Sequence, residues 1–340
     1  MKQILNYNIH NLLKFQIIRD NKRDYVRDLN LPFSFFEVKD MDAPDIKLNI
    51  GKFTPSNNDC YLLDHKYHIK ENYFYCKDSG GRAKWEVEIF GFEDGSTTIN
   101  YNGKIDGSEA LFPDRVPQNL LLQPFIEYKL CKKDHLFIHA AGVTNNNKGY
   151  ILAGRPSAFK STLTMDFVRK DGFKWMGDDR VIIQKNKIMC FPISPITFDF
   201  KCKYLSTEEF SGIFDRINLI KYLYNKSEYK KCDKSIANSA ALDALFFINR
   251  TNKGTIKKNI ISLNEAVGKL VENNRGEMIL LHFYKYILAY SFVFPMSGIA
   301  LHWDCLRINL ETFLKDVPIY EVEIPQNYNS SVFNEVHDLL

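Results

Sequence analysis

Residues 154–162 read Gly154-Arg155-Pro156-Ser157-Ala158-Phe159-Lys160-Ser161-Thr162. They follow an apolar run, YILA, and precede LTMDFVRK, whose apolar residues recur at helical spacing. Strand, loop, helix is the order that a phosphate-binding loop requires. Backbone N–H groups of such a loop point inward at an anion, and the helix N-terminus behind it adds partial positive charge. Lys160 would then reach the β- and γ-phosphates of a nucleoside triphosphate. Ser161, with Thr162 as its substitute, would offer a hydroxyl to Mg²⁺. The pattern departs from G-x-x-x-x-G-K-[ST] at one place, where Phe159 replaces the second glycine. Glycine there permits positive φ and close backbone approach. Phenylalanine either holds a strained conformation or gives the loop another shape, and its ring has to turn away from the phosphates. A chance match at an ordinary strand-to-helix turn is the plainer reading.

Further along, a strand FKWMG ends in Asp178-Asp179. If the unit is parallel, the strand after the loop helix returns beside the first, and its C-terminal end lies at the phosphate edge of the sheet. Two aspartates there can hold Mg²⁺ and take a proton from an attacking hydroxyl. Adjacent strand residues face opposite ways, so Gly177 has to end the strand if both are to face the γ-phosphate. The expected division is Asp178 as general base and Asp179 on the metal side. The pair also reads as a solvated turn opening a hairpin into VIIQKNKIMCF. His139 is the third candidate. HLFIHAAGVT and GYILAG form the arms of a hairpin around residues 145–148, with Thr144 opposite Gly149. Counting back puts His139 opposite Gly154, and cross-strand partners lie only about 5 Å apart at Cα. His139 then orients an aspartate or the phosphates, or it is a buried histidine satisfied by backbone.

Several elements must position these residues. Ile4, Leu5, Ile9, Leu12, Leu13 and Ile17 suggest a helix within residues 1–30. Alternating runs in residues 33–103, broken by Ser79-Gly80-Gly81 and Glu93-Asp94-Gly95, indicate a β-rich domain. His65 and His68 within it would face opposite ways on a strand, which argues against a metal site. Residues 106–118, with Gly107, Pro113 and Pro117, read as a linker, and residues 120–133 as a helix. From His135 onward strand and helix patterns alternate, as in an α/β domain. Lys170-Asp171-Gly172 supplies a helix stop. The expected organisation is therefore 1–118, an N-terminal helix with a β-rich domain and linker, then 119–340, a P-loop domain of α/β class.

Bulk properties narrow the function classes. The 340-residue chain has a net charge of +4, which demands neither nucleic acid nor an acidic membrane as partner. Its seven cysteines form no C-x-x-C pair, which suggests reduced thiols and a cytoplasmic location. The start lacks the pattern of a signal peptide. The most apolar late stretch, residues 279–296, is interrupted by His282 and Lys285 and reads as a buried helix rather than a membrane span.

At its informative residues the chain resembles the kinase domain of the HPr kinase/phosphorylase family. More closely, it is similar to HPr kinase-related proteins associated with peptide-maturation pathways. The likeness rests on the histidine in IHAAGV, the hairpin into ILAGRPSAFKST, the GF near the helix end and the Asp-Asp pair. FPISP, ALDALFFINR with ISLNEAV, and VPIYEVEI extend it across residues 120–324. The resemblance implies a P-loop fold related to phosphoenolpyruvate carboxykinase, use of ATP with Mg²⁺, and serine phosphorylation. By position it implies phosphate and metal roles for Lys160 and Ser161, base and metal roles for Asp178 and Asp179, and a supporting role for His139. Arg250, in FFINR, is either a group that stabilises the transferred phosphoryl or a surface arginine. Phe159 departs from the family's loop glycine. The E-x-R-G-x-G signature of true HPr kinases has no match, so the likeness does not extend to HPr as acceptor or to the reverse reaction.

Three functions fit: a kinase for a serine of a peptide or protein, a kinase for a small hydroxylated metabolite, and a nucleotide-binding module without catalysis. The β-rich domain suits a peptide or protein partner, and homo-oligomerisation stays open. Retention of Lys160, Ser161, Asp178 and Asp179 favours the two kinases, and Phe159 favours the module.

Overall fold

The computed structural model describes residues 2–20, 27–170, 172–206, 212–225, 235–280 and 283–339. Its contacts divide the chain into two units, Met1–Lys133 with Arg275–Cys305, and Asp134–Asn274 with Leu306–Leu340. Both units combine large sheets with helices, so the class is mixed α/β.

The first unit opens with strands where the periodicity had suggested a helix. β1 (Gln3–Ile9) and β2 (Leu13–Arg19) form an antiparallel hairpin. Leu5, Tyr7, Ile9, Leu13, Phe15 and Ile17 are buried, while Asn6, Asn8, Lys14 and Gln16 alternate with them toward the other face. Period two accounts for more of the apolar residues than period 3.6, and Ile4, which the helical reading needs inside, is 55% exposed. Among the described residues of this region only the short α1 (Arg27–Asn30) is helical. The remaining strands are β3 (Glu37–Val38), β4 (Ile46–Ile50), β5 (Tyr61–Leu63), β6 (Tyr67–Lys70), β7 (Tyr73–Gly80), β8 (Ala83–Phe90) and β9 (Thr97–Ile105). They form one sheet in the order β3-β1-β2-β4-β9-β8-β7-β6-β5, so the expected β-rich domain is present.

Residues 106–118 are not a loose linker. They carry α2 (Arg115–Pro117), and buried Asp114 takes the Arg19 guanidinium as ion-pair partner. Asn30 Nδ2 donates to the same carboxylate at 2.9 Å, and Gln118 Nε2 donates to the Asn30 carbonyl at 2.8 Å. A buried carboxylate needs such partners, and they tie this segment to β2 and α1. The expected helix follows as α3 (Gln123–Lys132).

The second unit is built on a mixed sheet. Its strands are β10 (Leu136–Ile138), β11 (Ala140–Asn145), β12 (Lys148–Ala153), β13 (Phe173–Gly177), β14 (Val181–Gln184), β15 (Lys187–Cys190), β16 (Ser239–Thr251), β17 (Lys257–Ile260) and β18 (Ile319–Pro325). The order is β10-β14-β15-β16-β12-β11-β13, with β18 on β16 and β17 on β18. Helices α4 (Lys160–Arg169), α5 (Pro195–Tyr204), α6 (Ile213–Asn225) and α7 (Leu263–Leu280) come before α8 (Tyr284–Val293) and α9 (His302–Leu314), and α10 (Ser330–His337) is last. Leu163 and Phe167 of α4 are buried against the sheet together with Val332, Phe333 and Val336 of α10. That apolar face holds the start of α4 at the end of β12. The helix stops at Arg169, with Gly172 at φ 89°, while Asp171 of the expected stop lies outside the described residues.

One expectation about the sheet is corrected. β13 does not lie beside β12, because β11 stands between them and pairs antiparallel with both. The tight β11–β12 hairpin claims that edge of β12 before the chain returns from α4. Two antiparallel steps restore direction, so β13 still runs parallel to β12 and still ends at the same edge of the sheet.

The stretch 279–296, read as one buried helix, takes in the end of α7, then α8 and the turn after it, with residues 281–282 outside the described ones. Tyr286 and Tyr290 are buried, but Phe292 is 80% exposed, so the helix is one-sided. Among the described residues no helix is long and apolar enough to cross a membrane.

The β11–β12 turn uses Asn146 at φ 49° and Asn147 at φ 64°. Two left-handed central residues make the type I′ turn that suits a two-residue hairpin, where glycine is favoured. Asn147→Gly is expected to raise the urea midpoint, for a gain in stability of up to about 1 kcal/mol, and Asn147→Val to lower it, for a loss of about 1–2 kcal/mol. Equal midpoints for both variants would show that the turn does not constrain this unit.

Candidate functional site

β12 ends at Ala153 and α4 begins at Lys160, so residues 154–159 form the expected loop. Gly154 has φ 156°, and a Cβ there would lie 2.6 Å from the Ile248 carbonyl oxygen of β16. Only glycine fits that approach. Ser157 (φ 65°) and Phe159 (φ 66°) are both left-handed. Phe159 thus adopts the backbone conformation that the missing glycine was needed for. Its ring lies 5.0 Å from the ring of Tyr328, and the Arg250 guanidinium sits 4.3 Å from its centroid. Tyr328 in turn donates to Asp166 Oδ2 of α4 at 2.8 Å. The left-handed conformation costs about 1–2 kcal/mol. An aromatic pair contributes about 0.5–1.5 kcal/mol and an exposed cation–π contact about 0.5–1 kcal/mol, so ring packing offsets the strain. Arg250 also donates to the Ser157 carbonyl at 3.1 Å and to the Gln326 carbonyl at 3.4 Å, which places this exposed arginine on the outside of the loop.

Lys160 is buried, and its ammonium donates to the carbonyls of Gly154 at 2.7 Å and Arg155 at 3.1 Å. Phe159, at the N-cap of α4, offers no side-chain oxygen to the helix N–H groups. Pro156 has no N–H to give, so the loop presents one donor fewer than its length suggests. Arg155, Pro156 and Ser157 are exposed and Ala158 is buried. Ser161 is half-buried whereas Thr162 is 2% exposed, which makes Ser161 the accessible hydroxyl of the pair.

The hairpin register is the one read from the sequence. Thr144 pairs with Gly149 and Ala140 with Ala153, so the next pair in the count is His139 and Gly154. His139 is buried at a break between β10 and β11. Its backbone groups leave the ladder and are taken by two asparagines of α7. The His139 N–H donates to Asn274 Oδ1 at 2.8 Å, and Asn273 Nδ2 donates to the His139 carbonyl at 2.7 Å. Asn274 Nδ2 also donates to the Phe137 carbonyl at 2.8 Å, and Arg155 Nη1 donates to Asn273 Oδ1 at 3.4 Å.

β13 ends at Gly177, opposite Gly142 of β11, and the chain turns through Asp178 and Asp179. A Cβ on Gly177 would come within 2.1 Å of the Arg180 carbonyl, so the turn depends on glycine. Asp179 Oδ1 lies 3.3 Å from His139 Nδ1, and Asp179 Oδ2 lies 3.7 Å from Arg180 Nη1. Arg180 is buried and donates to His139 Nδ1. Arginine can only donate, so Nδ1 is the acceptor and the neutral ring carries its proton on Nε2. Burial pushes His139 down to about 3, aided by the charges of Arg180, Lys160 and Arg155 and opposed by Asp179. The Asp179–His139 approach is therefore not an ion pair at neutral pH.

The structure thus gathers the loop, Lys160, His139 and Asp179 at one sheet edge, with Asp178 just before Asp179 in the turn that follows β13. Sequence reading missed Arg180, Asn273 and Asn274. Arg180 was legible as the residue that follows the aspartates, but nothing near the loop marks two asparagines on a distant helix. His65 lies in the turn before β6 with φ 55°, and the His68 ring packs on Tyr75 at 5.4 Å. Among the described residues no group of three His, Cys, Asp or Glu is arranged to hold a metal ion. No protein-family model matches the sequence, and no curated protein matches it.

Two measurements test this geometry. Phe159→Gly relieves the backbone strain but loses the ring, whereas Phe159→Ala loses the ring and keeps the strain. The expected order of denaturation midpoints is parent, then Gly, then Ala, with Gly above Ala by about 1 kcal/mol. A Gly variant more stable than the parent would mean that the ring does not hold the loop. For His139, the unfolded side chain titrates near about 6.5. Between that pH and about 3 the unfolded chain binds a proton that the folded protein does not. The contribution of His139 is therefore intact above pH of about 6.5 and declines as the pH falls toward 3. His139→Gln should lose stability less steeply than the parent over that window, and parallel curves would contradict the buried neutral ring.

Proposed function

We propose that this protein binds ATP with Mg²⁺ at residues 154–162 and transfers the γ-phosphoryl group to a serine hydroxyl of a peptide or protein. In this reading the second unit is a P-loop kinase domain of the HPr kinase and phosphoenolpyruvate carboxykinase type. The observation that carries it is the meeting of the Gly154–Lys160 loop with His139, Asp179 and Arg180 at one edge of the sheet. A loop that held only structure would have no need of a buried arginine, a neutral histidine and a half-exposed carboxylate beside it.

The acceptor oxygen attacks the γ-phosphorus, the bond to the β,γ-bridging oxygen breaks, and the hydroxyl proton passes to a carboxylate, assigned to Asp178. Lys160 exchanges its bonds to the Gly154 and Arg155 carbonyls for phosphate oxygens. The Ser161 hydroxyl and the Asp179 carboxylate are hard oxygen donors of the kind that suit Mg²⁺. When bound, the ion neutralises charge on the β- and γ-phosphate oxygens. Neutral His139 keeps Arg180 in place through Nδ1 without adding positive charge. Arg250 holds the loop from outside through the Ser157 carbonyl rather than through the phosphoryl group.

A peptide acceptor is favoured over a small metabolite by the first unit. It carries an open groove of about 710 Å³ on β7, β8 and β9, lined by Lys66, Lys77, Lys84 and Lys104 together with Asp78 and Glu86. An open surface of that size, with charges of both signs, suits a polar chain better than a compact metabolite.

Calorimetry is expected to detect Mg-ATP binding, and its absence for ATP, ADP and their Mg²⁺ complexes would remove the P-loop reading. Lys160→Ala should lower transfer at least about 100-fold. Asp178→Asn should retain nucleotide affinity and lose transfer, whereas Asp179→Asn should also weaken the dependence on Mg²⁺. If both aspartate variants transfer phosphate at the parent rate, the pair is only a turn and the chain is better read as a nucleotide-binding module.

A further inference from the structure

We propose that Cys131 and Cys305 form a reactive dithiol that closes reversibly to an intramolecular disulfide. Both belong to the first unit, Cys131 near the end of α3 and Cys305 in the first turn of α9. Their sulfurs lie 3.3 Å apart. Cys131 is 2% exposed, whereas Cys305 is partly exposed. That asymmetry assigns the roles: Cys305 meets an oxidant first, and Cys131, shielded from it, resolves the product.

The juxtaposition is held by neighbours on both helices. On α3, Glu127 lies one turn before Cys131. On α9, His302 lies one turn before Cys305. His302 Nε2 and Glu127 Oε1 are 3.3 Å apart, both buried, and the His302 ring meets Tyr128 edge-on at 5.9 Å. Tyr128 is itself fixed by donating to Glu93 Oε2 at 2.8 Å. The two helices are therefore tied together beside the cysteines, and the two sulfurs, 3.3 Å apart, have little more than 1 Å to close to reach the roughly 2.05 Å of a disulfide.

With a peroxide as oxidant, the Cys305 thiolate attacks one oxygen and the O–O bond breaks, giving a sulfenic acid and hydroxide. The Cys131 sulfur then attacks the Cys305 sulfur. The S–O bond breaks, the thiol proton goes to the departing oxygen, and water leaves. Two thiols and one hydrogen peroxide become one disulfide and two waters, and a dithiol reductant reverses the change.

The test treats the full chain with a small excess of hydrogen peroxide, blocks remaining thiols by alkylation and maps the digest by mass spectrometry without reduction. The expected product is a Cys131–Cys305 linked peptide pair that dithiothreitol removes, together with a higher urea midpoint for the oxidised protein. In Cys131→Ala, Cys305 should instead be trapped as its sulfenic acid by dimedone. Full alkylation of both cysteines after peroxide, linkage of either to a different cysteine, or sulfinic acid at Cys305 in the parent protein would each overturn the proposal.

Discussion

A two-residue turn decides which side chain of β11 stands across from the start of the loop. Asn146 and Asn147 both take left-handed backbone, and from them the pairing runs without a slip to Ala140 and Ala153. His139 and Gly154 are the next residues on each arm. Side chains alternate along a strand, so a change of one residue in the turn would send His139 to the other face and bring Ala140 toward the loop. The same hairpin occupies the edge of β12, which forces the chain returning from α4 to pair with β11 instead. Asp179 reaches His139 because of that displacement, since Gly177 ends opposite Gly142, close to the strand break. One turn thus sets both the residue at the β10–β11 break that stands across from the loop and the strand that delivers the carboxylate.

The charges around this point are ordered by burial. Arg180 is buried beside His139, and Lys160 and Arg155 are near enough to act on the same ring. These three cations and the Asp179 carboxylate act on the imidazole in opposite directions. A protonated histidine would add a fourth positive charge in a site with little water to screen it. Desolvation and the arginine prevent that, and the tautomer follows because arginine has no acceptor to offer. Lys160 meets the same constraint in the other direction: a buried ammonium has to be hydrogen-bonded, and the loop's own carbonyls supply the partners.

Where local pattern and local geometry coincide, the sequence was legible. The start of the loop, the strand FKWMG, the hairpin register and the mixed α/β class all follow from spacing within a few neighbouring residues, whereas the helix begins at Lys160, three residues before the LTMDFVRK run. The first 20 residues misled because Leu5, Ile9, Leu13 and Ile17 satisfy a helical count, and only Tyr7 and Phe15 reveal the alternation. Asp114 was hidden inside an apparent linker because its partners, Arg19 and Asn30, are remote in sequence. Phe159 was legible as a departure but not as a solution. The ring that makes a left-handed phenylalanine tolerable is that of Tyr328, on the far side of the chain.

The break at His139 shows why asparagine, and not a charged relative, lies behind the site. Ending β10 before β11 begins leaves backbone groups that need partners in a region closed to water. Asn274 accepts from the His139 N–H while donating to the Phe137 carbonyl, so it serves both sides of the break with one side chain. Asn273 donates to the His139 carbonyl and accepts from Arg155, which links the histidine to the loop. An ionised aspartate can only accept, so at position 274 it would strand the Phe137 carbonyl, and at position 273 that of His139. It would also bring a second negative charge next to the imidazole, favour its protonation and set the imidazolium against Arg180. A neutral amide closes the backbone account without altering the charge balance, and that balance is what leaves His139 neutral and the loop side of the site positive.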